Sequence, residues 1–125
     1  MKSEVMNYCE LAQTDLKVAM LILNASNDEL MQNVAAYHTE QALEKIMKAL
    51  IINNGGKPIK THSIIELSNV MKDMNIEVPI WIDEYDYIIT SWSTTTRYNT
   101  NFKADHDILE RVIKLIGEWI KKLKN

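Results

Sequence analysis

His38, Gln41, Lys45 and Lys48 recur at steps of three and four within residues 37–51, YHTEQALEKIMKALI. That spacing collects them on one side of a helix. With Leu30 at zero and an advance of about 100° per residue, Lys48 falls near ~0°, Gln41 near ~20°, Lys45 near ~60° and His38 near ~80°. Leu30, Val34 and Ile52 stand at the ends of this strip. Glu44 lies on its margin near ~320°, and Glu40 is separate near ~280°. Two ammonium groups, an amide and an imidazole are all hydrogen-bond donors to an anion. The strip therefore reads either as a groove for phosphate or as a solvated edge. On the second reading the lysines snorkel, and Glu44 pairs with Lys48 at the i,i+4 spacing for about 0.3–0.5 kcal/mol. On either reading the helix needs neither Lys45 nor Lys48 for its core.

Other chemistry is weakly signalled. His38, His62 and His106 are too far apart in sequence to form a metal motif, and no metal or cofactor is expected. GGKP, residues 55–58, lacks the first glycine and the Gly-Lys-Ser/Thr ending of a phosphate loop, and no G-x-S-x-G occurs. Asp83 and Asp86 fall on a face expected to be solvated. The single Cys9 excludes an internal disulfide and a cysteine-based zinc site, and its apolar neighbours make it a core residue.

The elements that would position these groups are all helical. The chain of 125 residues is 46% apolar and 25% charged, which suits one globular domain spanning residues 1–125. Only three glycines and two prolines interrupt it, which disfavours a turn-rich sheet. The first helix should run from about Ser3 to Leu23, and "NASND" ends it. Asn27 or Asp28 caps a second, central helix reaching Asn53 or Asn54, where Gly55 supplies a left-handed stop. Ser63 and Glu66 have capping-box spacing at the start of a third helix reaching Met74, with Thr61 an alternative cap. Pro79 suits the first turn of a fourth, Val78 to Tyr98. Residues 97–105, RYNTNFKAD, form a loop, and Asp105 to Lys122 a fifth helix. The expected architecture is an all-α, up-and-down four-helix bundle with one additional short helix. The fourth helix divides into an apolar face, Trp81, Ile82, Tyr85, Ile88, Ile89 and Trp92, and a polar one holding Asp83, Asp86, Thr90, Thr94 and Arg97. Its Thr/Ser-rich half predicts either contact with a second chain or the lining of a small-residue site. The net charge of −3 gives no global attraction to nucleic acid. No signal sequence and no apolar stretch of about 20 residues is visible, so a cytoplasmic protein away from membranes is expected.

Residues 37–67, followed by TTTRYNT, resemble the HEPN domain (higher eukaryotes and prokaryotes nucleotide-binding). The matching positions are Tyr37, Gln41, Ala42, Glu44, Lys45, Lys48, Ala49, Leu50, Gly55, Gly56, Thr61, His62, Arg97 and Tyr98. The resemblance implies a five-helix bundle that forms homodimers and works beside a small nucleotidyltransferase. It makes Gln41, Lys45, Lys48, His62, Arg97 and Tyr98 candidates for binding a nucleotide or RNA, and the basic residues His38, on the strip, and Lys60, before the third helix, join them as candidates. One branch of the family consists of metal-independent ribonucleases, often toxins of toxin–antitoxin pairs, with an Arg followed after four to six residues by a His. A histidine there could deprotonate a 2′-hydroxyl, while the arginine stabilises the phosphorane. Here Arg97 and His106 have eight residues between them, a departure from that motif. A subunit that binds only other proteins is a third possibility.

Overall fold

A computed structural model describes residues 3–124, with side chains described throughout except at 94–98. Five helices follow one another: α1 Ser3–Ala25, α2 Glu29–Asn53, α3 Ile64–Asp73, α4 Ile80–Tyr98 and α5 His106–Lys124. The described residues include no strand. The all-α bundle expected from periodicity is the observed fold.

The helix boundaries follow from local chemistry. The Asp28 carboxylate accepts from the N–H groups of Leu30 and Met31, satisfying donors that a helix start otherwise leaves open. Ser63 Oγ caps α3 through Glu66 N–H at 3.1 Å. The reciprocal half of the capping box does not form, because the Glu66 carboxylate accepts from Thr61 Oγ instead, at 2.8 Å. The two glycines after α2 have different reasons to be there. Gly55 sits at φ +88°, a left-handed conformation. At Gly56 a Cβ would come within 2.6 Å of the Ile51 side chain, so only glycine lets the chain turn back so closely.

Helix α2 is the central element. Ala35, Ala42, Leu43, Ile46, Met47 and Ile51 are among its fully covered side chains, and they lie on several sides of it. Small residues on α1 (Ala12, Ala19 and Cys9) let the α1 backbone approach α2 closely. Burial raises the pKa of the Cys9 thiol, with Lys124 opposing weakly, so this cysteine is a core residue and a poor nucleophile. Ile52, expected at one end of the polar strip, is buried, whereas Leu30 and Val34 at the other end are exposed. On α4, Ile82, Ile89 and Trp92 enter the core, but Ile88 does not. Trp81 meets Trp119 of α5 edge to face at 6.0 Å between ring centroids.

Two side chains tie the irregular segments to this frame. Thr90 Oγ on α4 accepts the first free N–H of α3, from Ile64, at 3.0 Å. Asn33, almost wholly buried on α2, donates to Phe102 O at 2.6 Å and accepts from Ala104 N–H at 2.9 Å. That amide sets the path of the chain between α4 and α5.

Candidate functional site

The four strip residues do not act as one group. His38 and Lys45 reach sideways to α1. There, Asp15 bridges them, with His38 Nδ1 on Oδ1 at 3.0 Å and the Lys45 ammonium on Oδ2. Lys48 turns the other way and donates to Glu44 Oε1 at 2.6 Å. Oε2 of the same Glu44 meets Nδ1 of His62, from the segment leading into α3, at 3.2 Å. Gln41 is not part of the outer strip. Its amide turns inward and donates to Glu40 Oε2 at 2.8 Å.

The result is two trios of the same composition, each a carboxylate with one oxygen on a lysine and the other on a histidine Nδ1. One joins α1 to α2, and the other joins α2 to the start of α3. In both, the acid lies deeper than its partners. Asp15 is 14% exposed against 29% for His38 and 28% for Lys45, and Glu44 is 6% exposed against 16% for Lys48 and 68% for His62. Cations therefore form the outer layer over a carboxylate floor.

Glu40, set apart from the strip in the helical projection, is completely buried behind Glu44. Burial first, and then the neighbouring Glu44 charge, push its pKa up from 4.5 to about 9, so it is neutral at pH 7. Its Oε1 makes no regular hydrogen bond. Glu44 takes the opposite course. Burial alone would raise its pKa, but the neighbouring Glu40 carboxyl and the hydrogen bonds with Lys48 and His62 outweigh that and hold it below the usual carboxylate range. One carboxyl of the pair is a neutral acid and the other an anion. Lys48 is consequently structural as well as accessible, contrary to the expectation that the core does not need it.

Lys60 is exposed in the segment before α3. The side chains of Arg97 and Tyr98 lie outside the described residues, so their relation to the strip and to His106 is not part of this geometry. His106 opens α5 and faces Glu110 on the next turn, Nε2 to Oε2 at 3.6 Å, an ion-pair contact when the ring is charged. Asp83 pairs with Lys72 at an exposed position, in keeping with a solvated face. Among the described residues no cluster of three metal-ligating side chains occurs, and no helix is long and apolar enough to cross a membrane. A groove of about 610 Å³, lined by Leu50, Val78, Trp81, Trp119 and Leu123, lies between the start of α4 and the end of α5, and none of the candidate residues lines it.

A family model described as HEPN domain matches residues 5–125, essentially the whole chain. This chain belongs to the HEPN family. Membership places it among nucleotide-binding and ribonuclease-like modules, whose members often act as dimers. Neither a curated protein nor a solved structure matches it. In this HEPN domain the spacing of Lys45 and Lys48 is visible in the sequence, but the parts played by Asp15 and Glu40 are not. Asp15 lies 23 residues from His38, and only the register of α1 on α2 brings them together. Glu40 had one available signal. It falls on the side of α2 that carries Ala36, Leu43 and Met47, where a carboxyl is unusual.

Proposed function

We propose that this HEPN domain is a nucleotide- or anion-binding module, acting as a homodimer beside a small nucleotidyltransferase in the cytoplasm. Its binding surface is the accessible strip of α2, with Lys45, Lys48 and His38, extended by His62 and Lys60; the family resemblance adds Arg97 and Tyr98 as candidates. The observation that carries this reading is the layering of charge. Two ammonium groups and two imidazole rings lie outside less exposed carboxylates around α2, so a phosphate meets basic side chains before acidic ones. Self-association is supported by α4, whose outer side leaves Ile80, Tyr87 and Ile88 uncovered.

The test is calorimetric titration of the protein with ADP at low salt, alongside light scattering. Saturable binding that weakens at least several-fold in Lys45→Ala, together with a dimer mass, supports the reading. An absence of binding, or binding unchanged in that variant, overturns the surface assignment. A monomer at tens of micromolar overturns the dimer. The ribonuclease reading through Arg97 and His106 has less support, since eight residues separate the two where the family motif has four to six.

A further inference from the structure

Each basic group of the strip already has an internal anion. Asp15 occupies Lys45 and His38, and Glu44 occupies Lys48 and His62. With both rings neutral, each trio sums to zero: one carboxylate and one ammonium. Glu40 adds nothing while it keeps its proton. A strip that looks basic in sequence is therefore electrically balanced.

The geometry of the two rings indicates what changes that balance. Both use Nδ1 on the carboxylate, and among the described residues no bond involves either Nε2. A carboxylate on Nδ1 selects the tautomer that carries hydrogen there. The outer Nε2 of a neutral ring is then a lone pair, which repels a phosphate oxygen. Adding a proton to Nε2 makes it a donor and gives the trio a net charge of one. Imidazole is the side chain type suited to such a change, since it can gain or lose one proton under mild conditions.

We propose that phosphate binding by this HEPN domain is proton-linked, with His38 and His62 each taking up a proton at Nε2 as a nucleotide phosphate docks, and with Asp15 and Glu44 acting as resident anions that hold the site closed to phosphate until then. The inference rests on the binding role proposed above and adds its regulation. The charged and titratable groups around the rings are consistent with it. Asp15 faces His38 from α1, and Lys45 and Tyr37 flank it on α2. Glu44 and Lys48 face His62 from α2 with neutral Glu40 behind, and Glu66 in the first turn of α3 is held by the Thr61 hydroxyl. Among the described residues, α4 reaches the start of α3 through the hydroxyl of Thr90, which accepts from Ile64 N–H and does not titrate in this range.

The experiment is titration with ADP at about pH 6 and about pH 8, repeated in two buffers of different ionisation enthalpy. Inorganic sulfate, whose charge is constant over this range, serves as the control anion. Each proton taken up strengthens binding by about ten-fold per pH unit where the free ring is neutral. The expected result is at least a ten-fold gain on going to the lower pH, with net proton uptake in both buffers. The double variant His38→Gln/His62→Gln should keep weak binding and lose the pH dependence. Asp15→Asn should bind several-fold more tightly at about pH 8, because Lys45 is released from its resident anion. If that variant does not fold, the wild type and the histidine variant decide. Binding that is flat with pH, or a pH dependence that survives in the histidine variant, overturns this inference alone. No binding of ADP even at about pH 6 overturns the binding role itself. Tighter binding of a short single-stranded RNA than of ADP overturns a free nucleotide as the source of the phosphate.

Discussion

The two trios share a composition and differ in what lies behind them. Asp15 stands between α1 and α2 at the margin of the bundle. Glu44 stands over a buried acid, with its own oxygens almost closed from water. The same three side-chain types therefore do different work. Near the surface, water screens the charges, and the trio contributes little to holding the fold. Over Glu40, the negative charge of Glu44 depends on Lys48, on His62 and on Glu40 staying protonated. Chemical type alone does not reveal which situation applies, and depth decides it.

The largest expected effect is at Lys48. Replacement with alanine leaves a buried carboxylate with one partner removed, and should cost about 3 kcal/mol in urea denaturation at pH 7. A cost below about 1 kcal/mol would put both trios in the same class and remove the contrast. Next comes Glu40. Its folded pKa is raised, so stability is fully present below the ordinary 4.5 and declines as pH rises towards about 9, because only the unfolded chain releases the proton. The slope is about 1.4 kcal/mol per pH unit at most. Glu40→Gln keeps an acceptor for Gln41, removes the titration, and should stabilise the protein by about 2 kcal/mol at pH 7 with a flatter profile above pH 5. A profile unchanged by this substitution would mean that Glu40 is not the neutral member of the pair. The smallest effect belongs to the outer trio. Lys45→Ala should cost no more than about 1 kcal/mol and less in high salt, in line with partly exposed pairs elsewhere.

The helices were legible in the sequence because they depend on local signals: apolar steps of three and four, Asp28 and Ser63 as caps, and Gly55 as a stop. The direction of the polar strip was legible for the same reason. Its partners were not. A helical projection gives the bearing of His38 and Lys45 but not the register of α1 against them, and that register supplies Asp15. It also treats every polar residue as seeking water. Glu40 departs from this because burial and the neighbouring Glu44 keep its carboxyl neutral against the opposing influence of Gln41 and Lys48. Thr90 falls on the polar face of α4 in the sequence pattern, and its hydroxyl holds the first N–H of α3, a contact that the pattern does not reveal. The contribution of Arg97 and Tyr98 rests on the family resemblance alone.

The amide of Asn33 has a kinetic consequence. Ala104 N–H lies in a segment without helical bonding and is closed off only by a side chain on α2. Irregular segments ordinarily exchange their amide hydrogens through small local openings. This one exchanges only when residues 102–104 part from α2, so its deuterium uptake times the separation of the α4–α5 connection from the centre of the bundle. In Asn33→Ala the same hydrogen should exchange at the rate of an exposed loop while α2 keeps its protection, making one backbone position a clock for that motion.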